Sequence, residues 1–437
     1  MRFCENVTVS PFTFCGVRAR MRKTETFMGI QISSKLGIIS CPGGEDFARS
    51  VTDHLTRLFK RDLERKTNDL AKKYGLPREE IVRKFNLNSE FEVRQRVSKG
   101  SPDEYVIPRF HIPVEFTRFA NGEFKATIES CVRGMDLYIF QDVENHYPIF
   151  FPNSGESAVL SVNDHLMCLL TVIDAAVQAG ATTITLVVPA YPYSRQHKRK
   201  GREALTAAWF ARMCEFMGVD RILTLDIHST EIQNSCKTIA LENMHASYQI
   251  MKKLCSLVHL EDDDLVIVSP DTGAVNRNKF YADNLKRPLA MLYKERDYSI
   301  VTKNAGQSNI KSIRLLGDVN GKNVFMADDM LGTGGTLIKA MRRLKEMGAK
   351  NIFCGISLPL FTGNAIEAFD EAYAEGCFCK IIGTNSVFHD ETLLKKEWYI
   401  SASVSELFAQ FIMRLHYNES TSPLLENIKI IQKLLNP

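Results

Sequence analysis

The sequence contains no long apolar run, no internal repeat and no large excess of either charge. No stretch approaches the roughly 18 uninterrupted apolar residues of a membrane span. The 437 residues carry a formal net charge of +4, whereas proteins built around nucleic acid usually spread basic charge over their surface. These absences argue against a membrane protein, a nucleic-acid-binding protein and a disordered chain. A hydrophobic share of 45% indicates a globular protein, and the length suits two or three domains.

The cysteines form neither a disulfide pattern nor a metal-binding pattern. Their number, eleven, is odd, and most stand alone in apolar stretches, as do Cys168, Cys214 and Cys354. Isolated apolar cysteines are typical of reduced thiols, so the sequence predicts a cytoplasmic protein. Residues 1–36 contain several arginines but no apolar stretch of the secretory type. We expect them to form a poorly ordered extension.

Short apolar runs alternate with amphipathic stretches from Leu36 onward, which predicts an α/β fold. Predicted helices include one capped by Asn163 and stopped by Gly180, one at 205–217 and one at 336–347. Such repetition makes mostly parallel sheets, which bind ligands at the carboxyl ends of their strands. The predicted strands are 37–41, 136–141, 183–188, 221–225, 265–268, 289–293, 323–327, 351–356 and 380–383.

Residues 60–107 interrupt this rhythm with a charged, helix-prone segment. Between residues 60 and 99 there are twelve Lys or Arg against seven Asp or Glu, so this segment alone holds the positive excess. Gly and Pro residues punctuate it at 75–77 and 100–102. We interpret it as a helical insertion on an edge of the first domain. A solvated surface or a subunit contact is favoured over a nucleic-acid-binding arm.

The most informative motif is segment 324–336, which reads Val-Phe-Met-Ala-Asp-Asp-Met-Leu-Gly-Thr-Gly-Gly-Thr before a predicted helix. An apolar strand here delivers Asp328 and Asp329 to its carboxyl end. The glycines then expose successive backbone N–H groups at a helix N-terminus, an arrangement that suits phosphate. The hydroxyls of Thr333 and Thr336 add donors, and the acid pair suits ribose hydroxyls or a hydrated Mg²⁺. The loop lacks the lysine of a Walker motif.

This motif resembles the ribose 5-phosphate loop of the phosphoribosyltransferase fold. From about residue 37 to 420, the chain resembles the ribose-phosphate diphosphokinase (PRPP synthetase) family. Five further segments carry the resemblance, at 118–134, 192–196, 225–229, 269–273 and 294–296. It implies two tandem type I phosphoribosyltransferase-like domains, each a mostly parallel sheet flanked by helices. We expect these domains at 37–243 and 244–420, followed by a helical tail at 421–437.

The resemblance also implies substrates, a cofactor and an assembly. The reaction would transfer the pyrophosphoryl group of ATP to the 1-hydroxyl of ribose 5-phosphate, giving PRPP and AMP, with Mg²⁺ as the cofactor. Such transfer needs positioning and charge stabilisation, which fits the absence of a Ser-His-Asp or Cys-His arrangement. A homo-oligomer built from dimers, up to a hexamer, is expected, with no nucleic-acid or membrane partner.

The implied site residues fall into four groups. Arg195 presents a planar fork for phosphate oxygens, and Mg²⁺ needs few protein ligands because it keeps waters and phosphate oxygens. The catalytic residues are Lys294 and Arg296; the ATP-binding residues are Phe119, Asn121, Glu123, Arg195 and Gln196; the ribose 5-phosphate-binding residues are Asp328, Asp329, Gly332, Thr333, Gly334, Gly335 and Thr336; the metal ligands are His228, Asp271 and Asp226.

Three positions and one segment depart from the family pattern. Gly332 stands where the family has an aspartate, His197 where it has an acid, and Gly201 where it has a serine, while residues 231–237 also differ. A hydrogen bond to a charged group is worth about 1.5–3 kcal/mol. The carboxylate missing at 332 therefore predicts weakened binding of ribose 5-phosphate, and an aspartate placed there is expected to lower KM.

Two alternative functions belong to other classes. A catalytically silent PRPP-synthetase-like regulatory subunit would have lost chemistry residues, yet the six positions 228, 271, 294, 296, 328 and 329 keep theirs. A phosphoribosyltransferase that consumes PRPP would share the loop at 328–336. It would need neither the ATP segments nor a second α/β domain.

Overall fold

Two parallel-stranded sheets organise the chain. The computed structural model describes residues 35–84, 110–258, 264–296, 310–426 and 428–435. The strands of this part are β1 (Leu36–Ser40), β2 (Val114–Arg118), β3 (Phe124–Ile128), β4 (Asp136–Phe140), β5 (Pro148–Phe151), β6 (Glu156–Val159), β7 (Thr183–Val187), β8 (Arg221–Leu225), β9 (Ala240–Met244), β10 (Leu265–Ser269), β11 (Leu289–Arg296), β12 (Ile310–Leu316), β13 (Asn323–Leu331), β14 (Ile352–Pro359), β15 (Lys380–Thr384) and β16 (Tyr399–Ala402).

The first sheet has the order β1-β4-β7-β8-β9, and all its pairs are parallel. The second has the order β12-β11-β10-β13-β14-β15-β16, in which only the β11–β12 pair is antiparallel. β4, β10 and β14 are buried along their whole length, as expected for parallel strands covered by helices on both faces. The predicted pair of α/β domains is confirmed.

Each of the nine predicted strands is present, with ends that differ by a few residues. The prediction missed the hairpins β2–β3 and β5–β6 and the strands β9, β12 and β16. β2, β3, β5 and β6 are half exposed and short, so they lack the continuous apolar run that marks a buried parallel strand. β9 lies at an edge and contains Glu242 and Asn243.

Helices flank both sheets. The helix predicted to start at Asn163 in fact begins earlier, because Ser161 and Asp164 form a capping box. Within the described residues, no helix is both long and apolar enough to cross a lipid bilayer. The helices are α1 (Glu45–Tyr74), α2 (Arg78–Lys84), α3 (Val162–Gln178), α4 (Thr206–Phe216), α5 (Ser247–Cys255), α6 (Val275–Leu285), α7 (Gly335–Glu346), α8 (Ala365–Ala374), α9 (Glu391–Leu394), α10 (Ser405–His416), α11 (Ser422–Leu425) and α12 (Ile428–Leu435).

The long helix α1 changes the interpretation of the charged segment. It runs through residue 60, and Leu63 and Thr67 are buried, so residues 60–67 belong to a core helix instead of decorating an edge. Residues 68–74 continue the helix with exposed or partly exposed side chains. The helix ends at Gly75, whose φ of 64° is left-handed. Residues 85–107 of the predicted insertion and residues 1–34 of the predicted extension lie outside the described residues.

The last long helix, α10, packs against the first half of the chain. It lies against α1, where the rings of Phe47 and Phe408 meet edge to face at 5.1 Å. At its end, Nδ1 of His416 lies 3.0 Å from Oδ2 of Asp136 in β4, and both side chains are buried. The boundary predicted at 243/244 thus falls one residue before the end of β9, the last strand of the first sheet, and it does not separate the two hydrophobic cores.

Candidate active site

The candidate site is a cavity of about 1070 Å³ lined by loops that follow strands of both sheets. β8 ends at Leu225, β10 at Ser269 and β13 at Leu331, and the segments after these strands reach the cavity. This is the end of a parallel sheet at which α/β proteins bind ligands. The predicted site residues that line it are Arg195, Asp226, His228, Asp271, Asp328, Asp329, Gly332, Thr333, Gly334, Gly335 and Thr336.

The turn between β13 and α7 depends on Gly334. Its φ of 71° is left-handed, and a Cβ at this position would overlap the ring of Phe369. Glycine is therefore required for both backbone and space. The turn starts α7 at Gly335 and puts Gly335 and Thr336 on the cavity wall. The unpaired N–H groups and the dipole of this first helical turn favour a phosphate there.

Asp328 and Asp329 lie side by side in β13, which runs to Leu331 and is longer than predicted. The N–H of Asp329 donates to Oδ1 of Asp328 at 2.9 Å. Burial and the charge of Asp329 raise the pKa of Asp328. Burial alone would also raise the pKa of Asp329, but the hydrogen bond from His228 and the charge of Arg277 hold it below its usual value. The pair therefore combines one ionised carboxylate with one that takes up a proton more readily.

A chain of charged groups crosses the floor of the cavity. Nδ1 of His228 lies 2.7 Å from Oδ2 of Asp329, so Nδ1 carries a proton and donates it. Nη2 of Arg277 lies 4.0 Å from Asp329, and its Nη1 lies 3.3 Å from Asp226. On the far side, Nδ1 of His245 donates to Asp226 at 2.8 Å. The hydrogen bond with Asp329 raises the pKa of His228. The same bond fixes the orientation of the imidazole ring, which lines the cavity.

Asp226 does not fit its predicted role as a metal ligand. Its buried carboxylate also accepts the N–H of Ala246 at 3.0 Å and the hydroxyl of Ser357 at 2.6 Å. Burial opposes ionisation, yet the charge of Arg277 and the hydrogen bond from His245 hold the pKa of Asp226 well below its usual value. Both oxygens are occupied by protein donors, so Asp226 anchors the loop that carries His228.

Among the residues that the structure describes, the two other predicted metal ligands each keep one atom without a protein partner. Since Nδ1 of His228 is bonded to Asp329, Nε2 remains. Oδ1 of Asp271 accepts the N–H groups of Gly273 at 2.9 Å and Ala274 at 3.1 Å, which leaves Oδ2. Within the described residues, no three His, Cys, Asp or Glu side chains are grouped so that they could hold a metal ion. This sparse donor set fits Mg²⁺ that arrives with phosphate oxygens and water.

Four of the five predicted ATP-binding residues do not line this cavity. Phe119, Asn121 and Glu123 lie at the turn between β2 and β3, where Oδ1 of Asn121 accepts the N–H of Glu123 at 3.2 Å. Oε1 of Gln196 accepts a hydrogen bond from the hydroxyl of Thr206 at 2.7 Å. Of this group, Arg195 alone lines the cavity.

The predicted catalytic residues Lys294 and Arg296 lie at the end of β11. Their backbones pair with β12, and the register shifts between Glu295 and Arg296. The side chains of both residues and the whole of segment 297–309 lie outside the described part of the chain. Their catalytic role stays a prediction.

The sequence did not point to Arg277, His245 or Ser357. Arg277 lies on α6 with 23% of its side chain exposed, between carboxylates that are distant in the sequence. An arginine with little exposed surface requires a counter-charge, but no local pattern in the sequence shows that α6 places Arg277 between these carboxylates.

Comparison with known proteins gives a consistent result over most of the chain. A family model described as the N-terminal domain of ribose phosphate pyrophosphokinase matches residues 67–218, and a phosphoribosyl transferase domain model matches residues 237–397. The chain is 34% identical to ribose-phosphate pyrophosphokinase A of Dictyostelium discoideum over 71% of this chain and 89% of that protein. It is 33% identical to ribose-phosphate pyrophosphokinase 1 of Listeria monocytogenes over 78% of this chain and 96% of that protein.

The chain belongs to the ribose-phosphate pyrophosphokinase family. A solved structure agrees: the phosphoribosylpyrophosphate synthetase from Mycobacterium smegmatis superposes with a TM-score of 0.62 at 25% identity, covering 88% of this chain and 100% of that one. The predicted family and its two tandem phosphoribosyltransferase-type domains are thus confirmed. Because the matches span both domains, they do not favour a single-domain phosphoribosyltransferase that consumes PRPP.

Proposed function

We propose that this member of the ribose-phosphate pyrophosphokinase family transfers the β,γ-pyrophosphoryl group of ATP to the 1-hydroxyl of ribose 5-phosphate. The observation that carries the proposal is the cavity itself. It combines the acid pair, the glycine turn and the start of α7 from one sheet with Arg195 and His228 from the other. The family relationship over nearly the full length of its relatives supports the same reaction.

In this reaction the oxygen of the 1-hydroxyl forms a bond to the β-phosphorus of ATP. The bond between that phosphorus and the oxygen bridging to the α-phosphate breaks, AMP leaves, and the proton of the 1-hydroxyl is released to water. No covalent enzyme intermediate is needed, because positioning and charge stabilisation supply most of the catalysis. Asp328 and Asp329 would accept hydrogen bonds from the ribose hydroxyls, while residues 333–336 would hold the 5-phosphate.

Charge on the transferring group would be neutralised by cations of this chain. Lys294, Arg296 and Arg195 are the residues we assign to this task. His228 and Asp271 would contact Mg²⁺ through the atoms left available, Nε2 and Oδ2. When bound, Mg²⁺ would supply a positive charge at the phosphate oxygens of ATP.

We also propose that the protein works as a homo-oligomer in the cytoplasm. The predicted ATP-binding residues Phe119, Asn121 and Glu123 do not line the cavity of their own chain. In an oligomer they could contact nucleotide bound in the cavity of a neighbouring copy, which reconciles the prediction with their position. The nine cysteines of the described part are all free, which agrees with a reducing compartment. Sedimentation of the pure protein measures the assembly.

Incubation of the pure protein with ribose 5-phosphate and ATP in the presence of Mg²⁺ tests the reaction. We expect PRPP and AMP in equal amounts, and no product when either Mg²⁺ or ribose 5-phosphate is omitted. The matched control is the Asp328→Asn, Asp329→Asn double variant, which should be folded but inactive if the signal belongs to this protein. ADP as the product would identify a simple kinase instead. Binding of both substrates without turnover would favour the silent regulatory subunit.

A further inference from the structure

One wall of the cavity has room where the family pattern has a carboxylate. A Cβ built on Gly332 would lie 3.5 Å from Oγ1 of Thr362, 3.7 Å from Nη2 of Arg195 and 3.9 Å from its Nη1. These are ordinary van der Waals distances, and the φ of Gly332 is not left-handed. Neither backbone nor packing therefore requires glycine at this position. An aspartate would fit, and its carboxylate oxygens would reach ion-pairing distance of Arg195.

In the part of the chain that the structure describes, Arg195 has no such partner. Within the described residues, no hydrogen bond or ion pair involves its exposed guanidinium group. Its positive charge acts on neighbouring groups: it lowers the pKa values of His228 and Glu144, although larger effects leave both pKa values raised. The guanidinium thus presents its donors beside the loop that begins at Gly332.

We propose that Arg195 donates hydrogen bonds to the phosphate of ribose 5-phosphate held at residues 332–336, and that Gly332 makes this contact available. The inference rests on the proposed function and assigns Arg195 to the sugar phosphate as well as to the nucleotide side of the cavity. Bidentate contact between a guanidinium group and a phosphate is among the stronger charge-assisted hydrogen bonds. An aspartate at 332 would neutralise Arg195 and repel the phosphate dianion.

This contact reverses the effect that the sequence alone predicts for an aspartate at 332. On the sequence alone, the added carboxylate should strengthen binding by accepting a ribose hydroxyl. With Arg195 beside it, the same carboxylate should weaken binding. The two predictions have opposite signs, so one measurement separates them.

The experiment is a calorimetric titration of ribose 5-phosphate into the protein without nucleotide, compared among wild type, Gly332→Asp and Gly332→Asn. Asparagine has nearly the shape of aspartate but no charge, so it is the matched control for volume. We expect Kd to rise about tenfold or more in Gly332→Asp relative to Gly332→Asn, the usual scale for a charge-assisted hydrogen bond. Equal Kd values in the two variants, or tighter binding by Gly332→Asp, would overturn the proposal.

Two further titrations test whether the effect acts through the guanidinium group of Arg195 and whether it concerns ribose 5-phosphate or ATP. In an Arg195→Gln background, the difference between Gly332→Asp and Gly332→Asn should disappear if it acts through the guanidinium. A difference that persists there would contradict the role of Arg195. Titration with ATP alone measures the nucleotide side separately, and a rise in Kd that is confined to ATP would assign Arg195 to the nucleotide only and overturn the proposal.

Failure of this inference is distinguishable from failure of the proposed function. The titrations measure binding without turnover, so normal ribose 5-phosphate affinities together with no AMP formation would reject the reaction and leave the contact in place. A wild-type protein that does not bind ribose 5-phosphate would overturn both. Thermal unfolding of each variant establishes that it is folded before titration.

Discussion

At the scale of single residues, hydrogen bonds decide which polar atoms of the cavity can bind a ligand. Asp226 and Asp271 both follow apolar strands and look alike in the sequence. In the fold, Asp226 is saturated by donors from His245, Ala246 and Ser357, whereas Asp271 uses one oxygen to bind backbone N–H groups and keeps the other. The roles of similar carboxylates thus depend on partners that are distant in the sequence.

Lys294 and Arg296 give the prediction that bears most directly on catalysis. We expect Lys294→Ala and Arg296→Ala each to lower kcat by a factor on the order of 10², because cations placed in advance act mainly on transition-state charge. KM for ATP should change little. Steady-state kinetics with both substrates varied measures the two effects separately. Lys252→Ala, an exposed lysine of α5 outside the cavity, is the control, and near wild-type kcat in either test variant would show that the catalytic loop has been misplaced.

At the scale of elements, α1 shows how a charged surface can conceal a core helix. Its second half is rich in Lys and Arg, yet along the middle of the helix Leu55, Phe59 and Leu63 recur at helical spacing and are buried. The long charged side chains cover the outer face, while the narrow apolar stripe packs toward the core of the first half. The amino-acid composition of this segment is therefore typical of a surface helix, although one face of the helix is buried in the core.

Substitution of Leu63 tests whether residues 60–67 belong to the core. We expect Leu63→Ala to lower the free energy of unfolding by about 2–4 kcal/mol, since it removes buried methyl groups from a packed site. Its exposed neighbour provides the control, because Glu64→Ala should change stability by no more than about 0.5 kcal/mol. Denaturant unfolding of both variants makes the comparison. Equal stabilities would mean that this part of α1 is a decoration after all.

At the scale of the whole molecule, the two sheets are joined by more than the connecting chain. α10 crosses back to pack on α1, and Asp142, after β4, accepts the N–H of Phe388 at 2.7 Å. Tyr147 packs edge to face on Phe388, with ring centroids 5.3 Å apart. Because the cavity is lined by residues of both halves, these contacts fix the position of one cavity wall relative to the other.

Asp142 makes this junction sensitive to pH. Burial raises its pKa to about 7, although the N–H groups of Phe388 and Glu144 oppose the shift. The folded state therefore binds the proton more tightly than the unfolded state, and stability should fall as pH rises from the ordinary carboxyl range through about 7. Asp142→Asn stays neutral and should lose less thermal stability than wild type between pH 5 and pH 8.

Thermal unfolding midpoints at the two pH values measure this difference. The exposed Asp174 of α3 serves as the comparison, since Asp174→Asn should keep the wild-type pH dependence. If the thermal stability of Asp142→Asn depended on pH as that of wild type does, Asp142 would not be the group that causes the pH dependence.

Local sequence patterns were enough to predict the α/β class, the nine strands with apolar runs and the loop at 328–336. Each of these is a local pattern, since period, turn glycines and adjacent acids lie within a few residues of one another. Three features became visible only in the packed fold: α10 completes the first core, residues 60–67 pack as part of α1, and Arg277 links Asp226 to Asp329. The packed fold also places Arg195 beside Gly332. These features join residues that are far apart along the chain, and no local periodicity records which distant side chains the packing of two sheets will bring together.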